Sequence, residues 1–325
     1  MKNNIINDIN IIPYKVICIG GSNIDRKQYV YNSININTTN IAKSTLSYGG
    51  VARNVSENLI RLGFDVNLLT CYGTDDDGIL LKNNFKLNNI NVELSFEIPN
   101  VQTSSYNAII DKDGELFVAT VSNLDIYNSI TVEKIQNNWS KISDAEYVFL
   151  DTFFNENCIK YVLDKCKEEN KCLIVNPVSP IEAMKLPNDL SGIYLLIANE
   201  KEACSLSGIT SINEGFHKAA TERIQEKGVK NVVLTCGAKG IYYFDNSCNF
   251  RYLPSYNTKA IDTVGAGDAF IAGMIFSHKK MHDFYKMCTY GLAAASLAVQ
   301  ELNTAPKSLN PENLEIIISS TTEIV

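Results

Sequence analysis

Short apolar runs alternate with helical periodicity along nearly the whole chain. Near-continuous apolar stretches occupy residues 15–20, 66–71, 147–151, 172–176, 193–198 and 231–235. Runs of this length without polar alternation predict strands of a parallel sheet covered on both faces. Between them, apolar residues recur at helical spacing: Val51, Ala52, Val55, Leu59 and Leu62; Ile159, Val162, Leu163 and Cys166; Phe216, Ala219, Ala220 and Ile224. Each set predicts a helix with one buried stripe. Repetition of strand, helix and strand implies an open α/β sandwich.

Two regions depart from this rhythm. Residues 25–47 are polar and rich in Asn, Ser and Thr, while 105–110 and 115–121 alternate around Asp111-Lys112-Asp113-Gly114, a hairpin signal. Strands with one apolar and one polar face, inserted between βα units, predict a small sheet over a cleft. The chain is therefore expected to form a single domain, 1–325, with lid segments at about 25–47 and 98–125. Near the end, Leu314-Glu315-Ile316-Ile317-Ile318 suits a strand or a helix equally. The lone Trp139 is expected to pack against the sheet.

Composition narrows the function classes. With 45% apolar residues in 325, the chain can bury a full core, and a formal charge of −7 spread along it argues against nucleic acid or an anionic membrane as partner. The nine cysteines are odd in number and form no C-x-x-C pair, so no disulfide framework or zinc knuckle is expected. The first eight residues are too polar for a secretory signal and lack the arginines of a transit peptide. No apolar stretch approaches the roughly 18 residues that span a bilayer. A cytoplasmic protein is expected.

The densest chemistry is Asp262-Thr263-Val264-Gly265-Ala266-Gly267-Asp268, which leads into an apolar, helix-like segment. Two glycines admit a close ligand, a helix N-terminus offers N–H groups to an anion, and Asp268 sits in the first turn. An acidic side chain there also complements the helix dipole, but a helix needing only that charge would not need Gly265 and Gly267. The set suits phosphoryl transfer, with Asp268 as the base. Gly20-Gly21-Ser22-Asn23-Ile24-Asp25 follows the first strand, so Asn23 and Asp25 emerge where open α/β sheets bind ligands; either they hold adjacent sugar hydroxyls or they form an Asx turn. Gly49 and Gly50 open the next helix, with Asn54 one turn in.

Asn199 and Glu202 follow a strand and fit either a capping box or a water-mediated Mg²⁺ site. Thr235, Gly237 and Gly240 lie in a tight turn that faces a nucleotide if one binds nearby. His278 and His282 are spaced i, i+4 at a solvated helix end and are not read as metal ligands, and His217 is isolated. Walker, dinucleotide-binding and nucleophile-elbow glycine patterns are absent.

In order along the chain, these segments resemble the ribokinase-like, or PfkB, family of carbohydrate and nucleoside kinases. Asp262-Thr263-Val264-Gly265-Ala266-Gly267-Asp268-Ala269-Phe270 is similar to the family's C-terminal signature, and Tyr48-Gly49-Gly50 with Asn54 to its N-terminal one. The form of 49–63, Thr103-Ser104-Ser105-Tyr106-Asn107-Ala108-Ile109, Leu124-Asp125-Ile126-Tyr127 and Asn176-Pro177-Val178-Ser179 is similar to that of pseudouridine kinases. The resemblance implies a three-layer α/β/α sandwich, a central mostly parallel sheet, a small β-sheet lid, and phosphorylation of a 5′-hydroxyl by MgATP. It implies that Asp25, Asn54 and the Gly50 backbone hold the ribose, with Thr103 and Tyr106 near the base. Asp268 would take the proton, and the N–H groups of Gly265, Ala266 and Gly267 would stabilise the transferring group. Asn199 and Glu202 match the N-x-x-E motif that organises Mg²⁺, and Thr235, Gly237 and Gly240 the nucleotide-binding turn. Asp262 matches a position that in many members helps bind K⁺. Asn176 stands where pseudouridine kinases are expected to carry Asp. A lid with an exposed apolar face can pair with a second copy, giving a homodimer.

Overall fold

A computed structural model describes residues 14–322; the polar segment 1–8, in which no targeting signal is expected, lies outside them. In chain order the first strands are β1 (Lys15–Ile19), β2 (Asn23–Val30), β3 (Ala42–Gly49), β4 (Asp65–Leu69), β5 (Cys71–Gly73), β6 (Phe96–Ile98) and β7 (Ser105–Ile110). The rest are β8 (Leu116–Ser122), β9 (Tyr147–Asp151), β10 (Cys172–Asn176), β11 (Ile193–Asn199), β12 (Asn231–Thr235), β13 (Ile241–Phe244) and β14 (Phe250–Leu253). The helices begin with α1 (Val51–Arg61), α2 (Asp76–Leu87), α3 (Val132–Asn137), α4 (Trp139–Ser143), α5 (Glu156–Glu168) and α6 (Pro180–Ala183). They continue with α7 (Glu200–Ser207), α8 (Phe216–Glu226), α9 (Ala266–Lys279), α10 (Phe284–Ala298) and α11 (Pro311–Thr322).

Eight strands form the main sheet in the order β14-β13-β12-β11-β10-β9-β1-β4. From β4 to β12 neighbours run parallel, and β13 and β14 close one edge antiparallel. The continuous apolar runs have the predicted cause: successive residues of each strand feed opposite faces. Val16 and Cys18 enter one core with α1, α9 and α10, whereas Ile17 and Ile19 enter another with α5, α7 and α8. Trp139 lies in this second core, its indole N–H donating to Glu169 at 2.7 Å.

The run at 66–71 divides. At Thr70 the chain leaves the main sheet, and β5 pairs with β6 instead. The C-terminal segment is the helix α11. His278 is not at a solvated end: its ring packs against Tyr147 and Tyr194, and its Nδ1 lies 2.9 Å from the Tyr147 hydroxyl. Among the described residues no helix is long and apolar enough to cross a membrane.

The small sheet has the order β3-β2-β7-β8. Its hairpin turn is held by Asp111, whose carboxylate accepts the N–H groups of Asp113 and Glu115, each at 2.9 Å. Strand β8 leaves Leu116, Phe117, Val118 and Val121 about half exposed, on both of its faces. Two ion pairs tie the sheet to the body: Arg26 with Asp77 at 2.5 Å, and Lys27 with Asp262 at 3.1 Å.

Helix α1 departs most from a simple amphipathic helix. Arg53, Asn54, Ser56, Glu57 and Asn58 are buried together with its apolar stripe. Arg53, Asn54, Ser56 and Glu57 find partners within the fold, as buried polar groups require, whereas the Asn58 amide has none among the described residues. That requirement leads to the site.

Candidate active site

The carboxyl ends of β1 and β9, the start of α1 and the start of α9 converge. Asp151, the last residue of β9, is fully buried and accepts three backbone N–H groups, from Gly21 at 2.9 Å and from Ala52 and Phe153 at 3.0 Å. Burial pushes its carboxyl up to about 6 even though those N–H groups favour the anion. Asp151 thus clamps the β1–β2 turn onto the N-terminus of α1. Its only signal in the sequence is a carboxylate closing an otherwise apolar run.

Gly50 caps α1 with φ of +95°, and a Cβ on it would stand 2.4 Å from the Gly21 carbonyl oxygen. Gly50→Ala is therefore expected to cost about 1–3 kcal/mol and to raise the KM for the phosphoryl acceptor, because the turn carrying Asn23 and Asp25 must retreat. Thermal melts and acceptor titrations check this; an unchanged melting temperature would show that the turn has room to move.

Beyond the turn, Asn23 Nδ2 donates to Asp25 Oδ1 at 2.5 Å, and Asp25 lies against Gly49, where a Cβ would fall 2.4 Å from the same oxygen. Burial pushes Asp25 up to about 6, against the pull of Asn23, Lys27 and Arg53. Tyr106 pairs in register with Asp25 on the adjoining strand and is partly exposed. Thr103 behaves differently. Its hydroxyl donates to Asp75 at 2.5 Å and accepts the Gly73 N–H at 2.9 Å, and the residue is 1% exposed. Its side chain is engaged within the fold by these two bonds, at a position the resemblance places near the base.

Asn54 links the two glycine motifs. Its Nδ2 donates to Asp268 Oδ2 at 2.8 Å across 214 positions of sequence, and its Oδ1 accepts from Arg53 Nη1 at 2.8 Å. The guanidinium also reaches the Tyr48 carbonyl at 3.1 Å and Asn84 at 2.9 Å, and pairs with Glu57. With a donor group fixed at one end and a carboxylate at the other, the amide of Asn54 has one orientation. Burial pushes the Asp268 carboxyl up to about 7; Asn54 and Arg53 oppose the shift, and Asp151 and Asp25 add to it.

Gly265 caps α9 at φ of +84°, against the backbone of Thr304, and no side chain caps this helix. The Ala266 N–H points back to the Thr263 carbonyl at 3.3 Å, while the space around Gly267 is open. Of the three N–H groups expected to face an anion, that of Ala266 is thus partly engaged in the loop. Asp262 accepts the Val264 N–H at 3.0 Å and faces the Lys27 ammonium. A monovalent cation at this carboxylate competes with a charge already in place.

A cavity of about 360 Å³ opens beside α9, lined by Asn199, Thr235, Gly237, Gly240, Ala266 and Gly267 among others. Both alternatives for Asn199 and Glu202 bear on it, since the complete capping box is present: Glu202 accepts the N–H of Asn199 at 2.9 Å and its Nδ2 at 2.6 Å. Glu202 is 3% exposed, and burial raises its carboxyl. Asn199 meets the cavity and Glu202 stands behind it. This oxygen-rich pair fits a hard cation that keeps its own waters, held at one remove. Asn176 is explained locally: its amide donates to the Ile197 carbonyl and accepts the Val178 N–H, both at 3.0 Å. A carboxylate could not make the first bond.

A three-layer sandwich with a small accessory sheet, and a glycine-capped helix carrying a carboxylate at the sheet's carboxyl edge, define a ribokinase-like protein. The chain matches the pfkB family of carbohydrate kinases over residues 14–311, and it belongs to that family. It is 33% identical to pseudouridine kinase of Escherichia coli over 260 residues, 80% of this chain and 82% of that one. It is 26% identical to the ribokinase of Staphylococcus aureus, over 88% of this chain and 94% of that one. Among solved structures, Arabidopsis thaliana ribokinase complexed with ribose and ATP matches with a TM-score of 0.81 at 20% identity, over 95% and 99% of the two chains. Membership makes the chain a phosphotransferase of the sugar and nucleoside kinase kind.

Proposed function

We propose that the protein phosphorylates the 5′-hydroxyl of pseudouridine, with ATP as donor. The observation that carries this reading is the Asn54–Asp268 hydrogen bond, which brings the sugar-side helix α1 to the carboxylate of α9. The 33% identity to a pseudouridine kinase favours this substrate, and Tyr106 beside Asp25 offers an aromatic face to a base. Asn23 and Asp25 bind the ribose hydroxyls, and the Gly49 and Gly50 backbone leaves room for the sugar.

Asp268 removes the hydroxyl proton as the new P–O bond forms; the bond to the β-phosphate oxygen breaks and ADP leaves. The N–H groups of Gly265 and Gly267, joined by that of Ala266 when it leaves the Thr263 carbonyl, stabilise the charge on the transferring group. The nucleotide occupies the cavity lined by Asn199, Thr235, Gly237 and Gly240. Mg²⁺, held through water by Asn199 and Glu202, would neutralise phosphate charge. A K⁺ at Asp262 would have to displace Lys27. The small sheet acts as the lid of a single domain, and its exposed apolar strand β8 pairs with that of a second copy.

The purified protein, MgATP and a panel of pseudouridine, uridine, adenosine, ribose and fructose test the substrate. Pseudouridine is expected to give the highest kcat/KM. Turnover of ribose or adenosine with none of pseudouridine would overturn the assignment in favour of another sugar or nucleoside.

A further inference from the structure

One grouping of metal-ligand side chains occurs among the described residues, apart from the groups assigned above. Glu200 is the first residue of α7, His217 the second of α8, and Cys236 follows β12. Their ligand atoms all lie within 4.8 Å of one another. His217 Nε2 is 2.7 Å from Glu200 Oε1. The imidazole is stacked on Tyr242 at 4.0 Å and 16° and meets Phe216 edge-on at 5.4 Å, so its plane is set by packing and Nε2 is held toward the carboxylate. The Glu200–His217 contact alone would serve to tie α7 to α8. A third element brings the Cys236 thiol to the same carboxylate, so that three different donor atoms converge on one point.

We propose that Glu200, His217 and Cys236 form a binding site for a single borderline divalent cation, with Zn²⁺ as the fitting ion. One sulfur, one nitrogen and one oxygen donor make a set that Mg²⁺ disfavours and Zn²⁺ accepts, and three protein ligands leave a fourth position for water. Thiolate and carboxylate together balance the 2+ charge. On binding, the Cys236 proton leaves to solvent and the Glu200–His217 hydrogen bond is replaced by two metal bonds, with His217 in the Nδ1–H tautomer. The ion would sit behind the turn in which the Cys236 N–H donates to the Gly240 carbonyl at 2.8 Å, and that turn lines the cavity. Occupancy would thus join α7, α8 and the turn.

Co²⁺ serves as the probe, added to the full chain without nucleotide. The expected result is a thiolate-to-cobalt charge-transfer absorption that saturates at one ion per chain and disappears when Zn²⁺ is added. Cys236→Ser removes it, whereas Cys248→Ser, at an exposed cysteine, retains it. Glu200→Gln keeps a hydrogen bond to His217, and hence the helix contact, but weakens Co²⁺ binding at least about tenfold. Absence of the band in the wild type, its survival in Cys236→Ser, or unchanged affinity in Glu200→Gln would overturn the site. None of these readouts depends on which acceptor is phosphorylated.

Discussion

Asp268→Asn is expected to lose at least about a hundredfold in kcat while remaining folded and, above neutral pH, gaining stability. The amide cannot take a proton, yet it can still accept the hydrogen bond that Asn54 donates. The stability gain follows from the direction of the carboxyl's shift. With its pKa raised from 3.8 to about 7, the acid is favoured in the folded state. That favourable contribution is complete below the unfolded value and lost as pH rises through 7. Asparagine removes the group, so the melting temperatures of variant and wild type should diverge on the alkaline side and converge towards pH 4. The same titration makes wild-type kcat/KM climb as pH rises through about 7. Wild-type turnover in Asp268→Asn would remove this carboxylate from the chemistry.

The largest stability effect is expected at Arg53. Its guanidinium is buried and bonds to Glu57, Asn84, Asn54 and the Tyr48 carbonyl. Arg53→Met preserves much of the volume but leaves the buried Glu57 with only Arg61 as ion-pair partner. Breaking a buried pair in this way costs about 3–5 kcal/mol. It also releases the oxygen end of the Asn54 amide, so residual activity should fall with the stability. Urea denaturation of wild type and variant measures the first effect; a loss below about 1 kcal/mol would assign the network only the weight of a surface ion pair. Arg53→Lys should recover little, since an ammonium cannot make the forked contacts.

The layers of the fold were legible because strands buried on both faces leave apolar runs that few other structures produce. The antiparallel edge β13–β14 was harder to read, and the small sheet showed only as a polar interruption and a hairpin, because half-exposed strands carry a weak periodic signal. Within the site, glycines and carboxylates at strand ends announced themselves. What a linear reading could not supply was which polar atoms meet. Thr103 lies in a lid-like segment yet turns inward to Asp75; Asp151 closes an apolar strand legible in the sequence, yet nothing in the sequence shows that it holds three N–H groups. His217 has no partner in sequence spacing, since Glu200 and Cys236 reach it through the sheet order. Asn176 departs from the expected Asp for a reason found in the next strand, the Ile197 carbonyl.

Strand β8 lies at the open edge of the small sheet. An edge strand that carries Leu116, Phe117 and Val118 in succession, each about half exposed, offers unpaired backbone and oil on both faces. If it is covered in the assembled protein, the free subunit is the aggregation-prone species. The conditions under which the protein stays in solution would then be set by self-association, and charged substitutions along this strand would trade assembly for solubility.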